Sequence, residues 1–79
     1  MLEMPERPHI DNFRRQARAL QRAARAGEPE AIARLDRHHP DPASADPKTL
    51  QLSAAQMVVA REYGFANWPQ LVQYLKNGS

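Results

Sequence analysis

Ile10, Phe13, Ala17, Leu20 and Ala24 recur at intervals of three and four, the spacing that lines up one face of an α-helix. Polar and charged residues fill the positions between them, so the stripe is narrow and the opposite side is wet. This predicts a first helix that starts at a cap on Asp11 or Asn12 and runs to Ala26, ahead of Gly27. Gly27-Glu28-Pro29 reads as a breaker followed by a helix opener, because proline loses nothing at a first-turn position whose amide has no partner. A second helix is expected from Pro29 to about His38, with Ile32 and Leu35 inward and Ala31 and His39 partly so. So short a joint makes the two helices a hairpin.

Pro40 to Pro47 holds three prolines among small and acidic residues and is expected to be an irregular connection. Pro47 to Leu50 is expected to form one helical turn anchored by Leu50. Beyond it, Ser53-Ala54-Ala55-Gln56 has the form of a capping box, with Leu52 and Met57 at the hydrophobic-staple positions. Gly64 after Tyr63 suits a left-handed helix end, with Phe65 placed for the apolar contact that accompanies one. Asn67 is expected to cap a last helix that Trp68 and Pro69 open and whose buried stripe Leu71, Val72 and Leu75 continue. No strand-like alternation and no internal repeat appears. The fold class is all-α: a compact four-helix domain of two helical hairpins joined by a Pro-rich loop. Residues 1–9 are expected to be an extended N-terminal arm, 10–76 the single helical domain, and 77–79 a flexible C-terminal tail.

Composition adds limits rather than chemistry. Seventy-nine residues suffice for one domain with a modest core, and much of the 42% hydrophobic content is alanine. With no cysteine, neither a disulfide nor a thiolate metal site can support that core. An apolar patch seeking a partner is a natural corollary for so short a domain. No apolar run approaches the ~20 residues of a membrane span, and no signal-peptide core is present, so a cytoplasmic location without membrane partners is expected.

Charge is uneven. The net value is +2, yet Arg14, Arg15, Arg18, Arg22 and Arg25 lie between Asn12 and Ala26 with no acid among them. Nine of the eleven basic residues are arginine, a bias that coding composition alone can produce. The spacing of Arg14, Arg18, Arg22 and Arg25 nevertheless places four fork-shaped donors on one face, where a phosphate backbone could meet them. The bland counterpart is a solvated face partly neutralised by Glu28, Glu30 and Asp36 of the next helix. No aromatic residue interleaves with the arginines, so base stacking has no support.

The other candidate sites are weaker. His38 and His39, near Asp41, are neighbours about 100° apart on a helix, which does not suit joint chelation. They fit better as favourable charges at a helix C-terminus, and no metal or cofactor is expected. Ser44, Thr49, Ser53 and Ser79 are the hydroxyl nucleophiles besides tyrosine, without a phosphate loop or an acidic pair beside them, so the chain does not read as an enzyme. Glu62 reads as an exposed acid paired with Arg61 or water. A divergent helix-turn-helix is suggested by Ala60 and Gly64, but that motif's buried positions would fall at Gln70 and Gln73 while Trp68, Leu71, Val72 and Leu75 are the apolar residues. Trp68, Phe65, Tyr63 and Tyr74 gather at the last joint. Most of this group belongs in a core, with Tyr74 the best candidate for exposure.

The segment Ala55-Gln56-Met57-Val58-Val59-Ala60-Arg61-Glu62-Tyr63-Gly64-Phe65-Ala66-Asn67-Trp68-Pro69-Gln70-Leu71 resembles a small helical module found ahead of the repeats in bacterial ankyrin-repeat proteins and in other uncharacterised bacterial proteins. The likeness extends to Asp11–Ala17, to Arg25–Ala31 and to Arg37–Pro40. It implies a fold and a context of protein-binding scaffolds, whose end units need covering, and brings no catalytic or ligand residues. The expectation is a non-catalytic capping or docking module that meets another protein or a second copy of itself through Trp68, Leu71, Tyr74 and Leu75. The alternative is nucleic-acid binding through Arg14, Arg18, Arg22 and Arg25 or through the divergent helix-turn-helix.

Overall fold

Four helices follow one another in the computed structural model, which describes residues 9–41, 43 and 45–77. They are α1 (Ile10–Arg25), α2 (Pro29–His38), α3 (Leu52–Glu62) and α4 (Trp68–Asn77), with a 3-10 turn at Pro47–Thr49 ahead of α3. Among the described residues there is no strand, and the all-α four-helix architecture is the one the periodicity implied. The expected arm up to Pro8, Ser44, and Gly78 and Ser79 of the expected tail lie outside the described residues. Asn77, placed with that tail, belongs to α4.

The stripe on α1 is the backbone of the core. Phe13, Ala17, Leu20 and Ala24 are buried, and Ile10 is half-buried at the helix start. They meet Ala55, Val58, Val59 and Ala60 of α3, Ala31 and Leu35 of α2, Leu50, and Leu71 of α4. The most extensive contact is between α1 and α3, which are far apart in sequence, and α4 rests chiefly on α3. Five of the twelve buried apolar residues among those described are alanine, which lets the helices approach closely around Phe13 and the buried leucines. The radius of gyration is 12.1 Å, near the about 12 Å of a compact domain of this length.

Both hairpin joints close in the same way. At the end of α1 the Gly27 amide donates to Ala24 and the Glu28 amide to Ala23, each at 3.0 Å. At the end of α3 the Gly64 amide donates to Arg61 and the Phe65 amide to Ala60, again at 3.0 Å. These paired bonds are the Schellman arrangement, which needs a left-handed residue after the cap. Gly27 has φ 79° and Gly64 φ 92°, so glycine meets that need without a Cβ clash.

Two expected caps are corrected. His9, not Asp11 or Asn12, caps α1: its Nδ1 accepts from the Asp11 amide at 3.2 Å and its carbonyl from the Asn12 amide at 3.0 Å. The helix starts earlier, with His9 extended and the half-buried Ile10 as its first residue. The capping box expected at Ser53–Gln56 does not form. Gln51 caps α3 without a side-chain bond, and its carbonyl accepts from Ala54 and Ala55, which leaves Ser53 exposed in the first turn. A reciprocal cap occurs instead at α4, where Asn67 Oδ1 accepts from the Gln70 amide at 3.0 Å and Gln70 Oε1 from the Ala66 amide at 3.1 Å.

The Pro-rich connection is fastened at its far end. Asp46 caps the 3-10 turn by accepting from the Lys48 amide at 3.0 Å. Leu50 is buried, and its carbonyl accepts from Gln21 Nε2 and from Arg25 Nε, both at 3.0 Å. Two side chains of α1 thus fix where the chain enters α3. No helix among the described residues is long and apolar enough to cross a membrane.

Candidate functional site

Two candidate surfaces lie among the described residues, one on α4 and one on α1. The α4 surface is built on the last joint. Gly64 turns the chain so that Phe65 lies half-buried beside the body of α3, and Asn67 then starts α4. Tyr74, two turns on, lies against Phe65 with ring centroids 5.3 Å apart and planes tilted by 51°. Tyr74 is 45% exposed, which makes it the exposed large hydrophobic residue among those described. Gln70, Gln73 and Asn77 complete a shallow, open depression around the two rings.

Of the four residues expected on this surface, one is displaced. Leu71 is fully buried and belongs to the core cluster with Val58 and Val59 of α3. Trp68 and Leu75 are half-buried and pack on the core as well. Tyr74 stands where the sequence placed it. Phe65, Gln70, Gln73 and Asn77 were missed as members. The available signal was composition: α4 carries a single charged residue, Lys76, in ten, while α1 carries six in sixteen.

The other two aromatics of the group hold the fold. Tyr63 packs edge-on against Phe13 at 5.1 Å and 80°. Its hydroxyl lies 3.1 Å from Gln16 Nε2 and 3.3 Å from Oε1, so the amide and the phenol can pair in either sense. Gln70 and Gln73 are exposed, so the second helix of a helix-turn-helix would have its buried phase wrong here.

Glu62 is the largest surprise. It is 6% exposed and is gripped by Arg34, with Nε to Oε2 at 2.7 Å and Nη2 to Oε1 at 2.5 Å. The expected exposed acid is therefore half of a bidentate pair that ties α2 to the end of α3. The hydrogen bond to Glu62 raises the Arg34 pKa from its ordinary value, outweighing the burial that lowers it. Sequence offered no signal for this pair, whose members are 28 residues apart.

The α1 surface keeps its arginines exposed, with their roles divided. Arg14 lies 3.4 Å from Asp11 Oδ1, and Arg15 donates to Asn12 Oδ1 at 2.7 Å. Arg25 has its Nε on the Leu50 carbonyl, so one member of the expected row is partly structural. Arg18 and Arg22 have no hydrogen-bond or ion-pair partner among the described residues. Glu28, Glu30 and Asp36 are exposed and pair with none of these arginines, so the expected neutralisation is absent among the described residues. His38 and His39 are half-buried, and His39 Nδ1 accepts from the Asp41 amide at 3.0 Å.

No protein-family model, curated protein or solved structure matches the chain.

Proposed function

We propose that this chain is a non-catalytic helical module that docks a protein partner through the outer face of α4. The observation that carries the reading is the contact of half-buried Phe65 with exposed Tyr74, an aromatic couple in a setting almost without charge. Interface centres are enriched in aromatic residues and depleted in charge, and an amide rim lets a partner satisfy hydrogen bonds there. Lys76 is the only charge α4 contributes. Arg34 and Glu62, paired with one another, join two helices. The resemblance of the α3–α4 segment to a module ahead of ankyrin repeats supports a docking or capping context.

The test is loss of association without loss of fold. Tyr74→Ala is expected to abolish partner capture, or concentration-dependent self-association, while leaving the thermal melt close to that of the parent chain. A monomer at all concentrations that retrieves the same proteins with and without Tyr74→Ala would sink the reading.

A further inference from the structure

We infer that the exposed face of α1 is a second, independent interaction surface that grips the phosphate backbone of duplex nucleic acid without reading its sequence. At about 100° per residue, Arg14, Arg25, Arg18, Arg22 and Arg15 fall in that angular order within an arc of about 100°. The buried stripe of Phe13, Ala17, Leu20 and Ala24 lies on the other side of the helix. Two shallow depressions run along the arc and share Arg18. The first is lined by Asp11, Arg14, Arg15 and Arg18. The second, lined by Arg18, Gln21, Arg22, Arg25 and Leu52, contains no carboxylate at all.

The division of roles makes the prediction sharper than a count of charges. Arg25 and Gln21 are held by the Leu50 carbonyl, so neither is disposed to reach a base edge. Arg14 and Arg15 are held only by exposed groups one turn away, contacts that a phosphate readily replaces. Arg18 and Arg22 have no partner among the described residues. That leaves four guanidinium groups for binding, with Arg14, Arg18 and Arg22 rising by about 6 Å per step along the axis. Guanidinium forks suit phosphate oxygens, and contacts of this kind position a protein on nucleic acid without specifying sequence.

The occupant follows from what the face lacks. No aromatic ring lies in the arc, so the stacking that holds single strands is missing. A membrane-surface helix needs its apolar side available for the lipid, and here that side is buried against α3. A duplex offers evenly repeated phosphates and asks for neither.

Fluorescence anisotropy with a labelled, mixed-sequence DNA duplex tests this. Four phosphate contacts should weaken binding roughly 10²-fold between about 50 and 200 mM salt. Arg18→Gln combined with Arg22→Gln should lower the slope of log affinity against log salt by about two. A shuffled duplex should bind equally well. Single Arg18→Gln, expected to lower the slope by about one, serves if the double variant melts early. Absence of binding at low salt, a slope unmoved by these substitutions, or tighter binding to poly-glutamate, to a single strand or to phosphatidylserine vesicles would each overturn the inference. Because Tyr74→Ala should leave duplex binding intact, failure here and failure of the α4 reading are separable.

Discussion

Arg34 on α2 and Glu62 at the end of α3 face each other through two parallel hydrogen bonds, one of 2.7 Å and one of 2.5 Å. The Glu62 side chain is 8% exposed and that of Arg34 35%, so the acid is the member that depends on its partner. Arg34→Met leaves a buried carboxylate uncompensated and is expected to cost about 3 kcal/mol in urea unfolding. Adding Glu62→Leu should recover much of that loss, giving a large coupling in the double-mutant cycle. A purely additive cycle would show that the pair is not coupled. Since the Arg34 pKa is raised in the fold, its contribution is complete below the ordinary guanidinium value and is lost only as pH climbs through the higher one. The coupling is therefore expected to be unchanged between pH 7 and pH 9.

Leu71 and Tyr74 sit one turn apart on α4 with opposite fates. Leu71→Ala opens a cavity in a fully buried site and should cost about 2–5 kcal/mol, lowering the melting temperature sharply. Tyr74→Ala removes a ring that is about half in water and should stay within about 1 kcal/mol of the parent, acting on association instead. Equal losses from both would place Tyr74 in the core.

The caps separate two readings of the same letters. Asn67→Ala removes an acceptor from the first turn of α4 and is expected to cost about 1 kcal/mol by chemical denaturation. Ser53→Ala should be neutral or slightly stabilising, because the hydroxyl caps nothing and alanine is the better helix former. A destabilised Ser53→Ala variant would restore the capping box.

Gly27 and Gly64 both need a left-handed backbone. At Gly27 an added Cβ meets nothing within 4 Å, so any loss in Gly27→Ala is backbone strain alone, about 1 kcal/mol. Gly27→Asn should lose less, since asparagine tolerates that region better. Thermal melts of the two variants distinguish strain from a steric clash, which would make asparagine the worse.

What the sequence made legible was local or periodic. The α1 stripe from Phe13 to Ala24, the glycine turns at 27 and 64, the Asn67 cap and the exposure of Tyr74 all follow from spacing and turn chemistry. Leu71 was misplaced because an apolar residue on a short helix can face a core or a partner, and only packing against α3 decides. The start of α3 was missed for a similar reason. Gln21 and Arg25 hold the Leu50 carbonyl from 29 and 25 residues away, and this tertiary grip sets where the helix begins in spite of the local Ser53–Gln56 pattern. Glu62 and Arg34 show the same limit, since nothing within one turn of Glu62 announces a partner on α2.

Because α4 rests chiefly on α3, while α1, α2 and α3 all touch one another, α4 is expected to open before the packing of Phe13, Leu20, Leu35 and Val58 is lost. Its amides should then exchange with deuterated solvent sooner than those of α1, and a ligand seated on Tyr74 would register first as slowed exchange along α4. The proposed docking face thus lies on the segment that the rest of the fold holds most lightly.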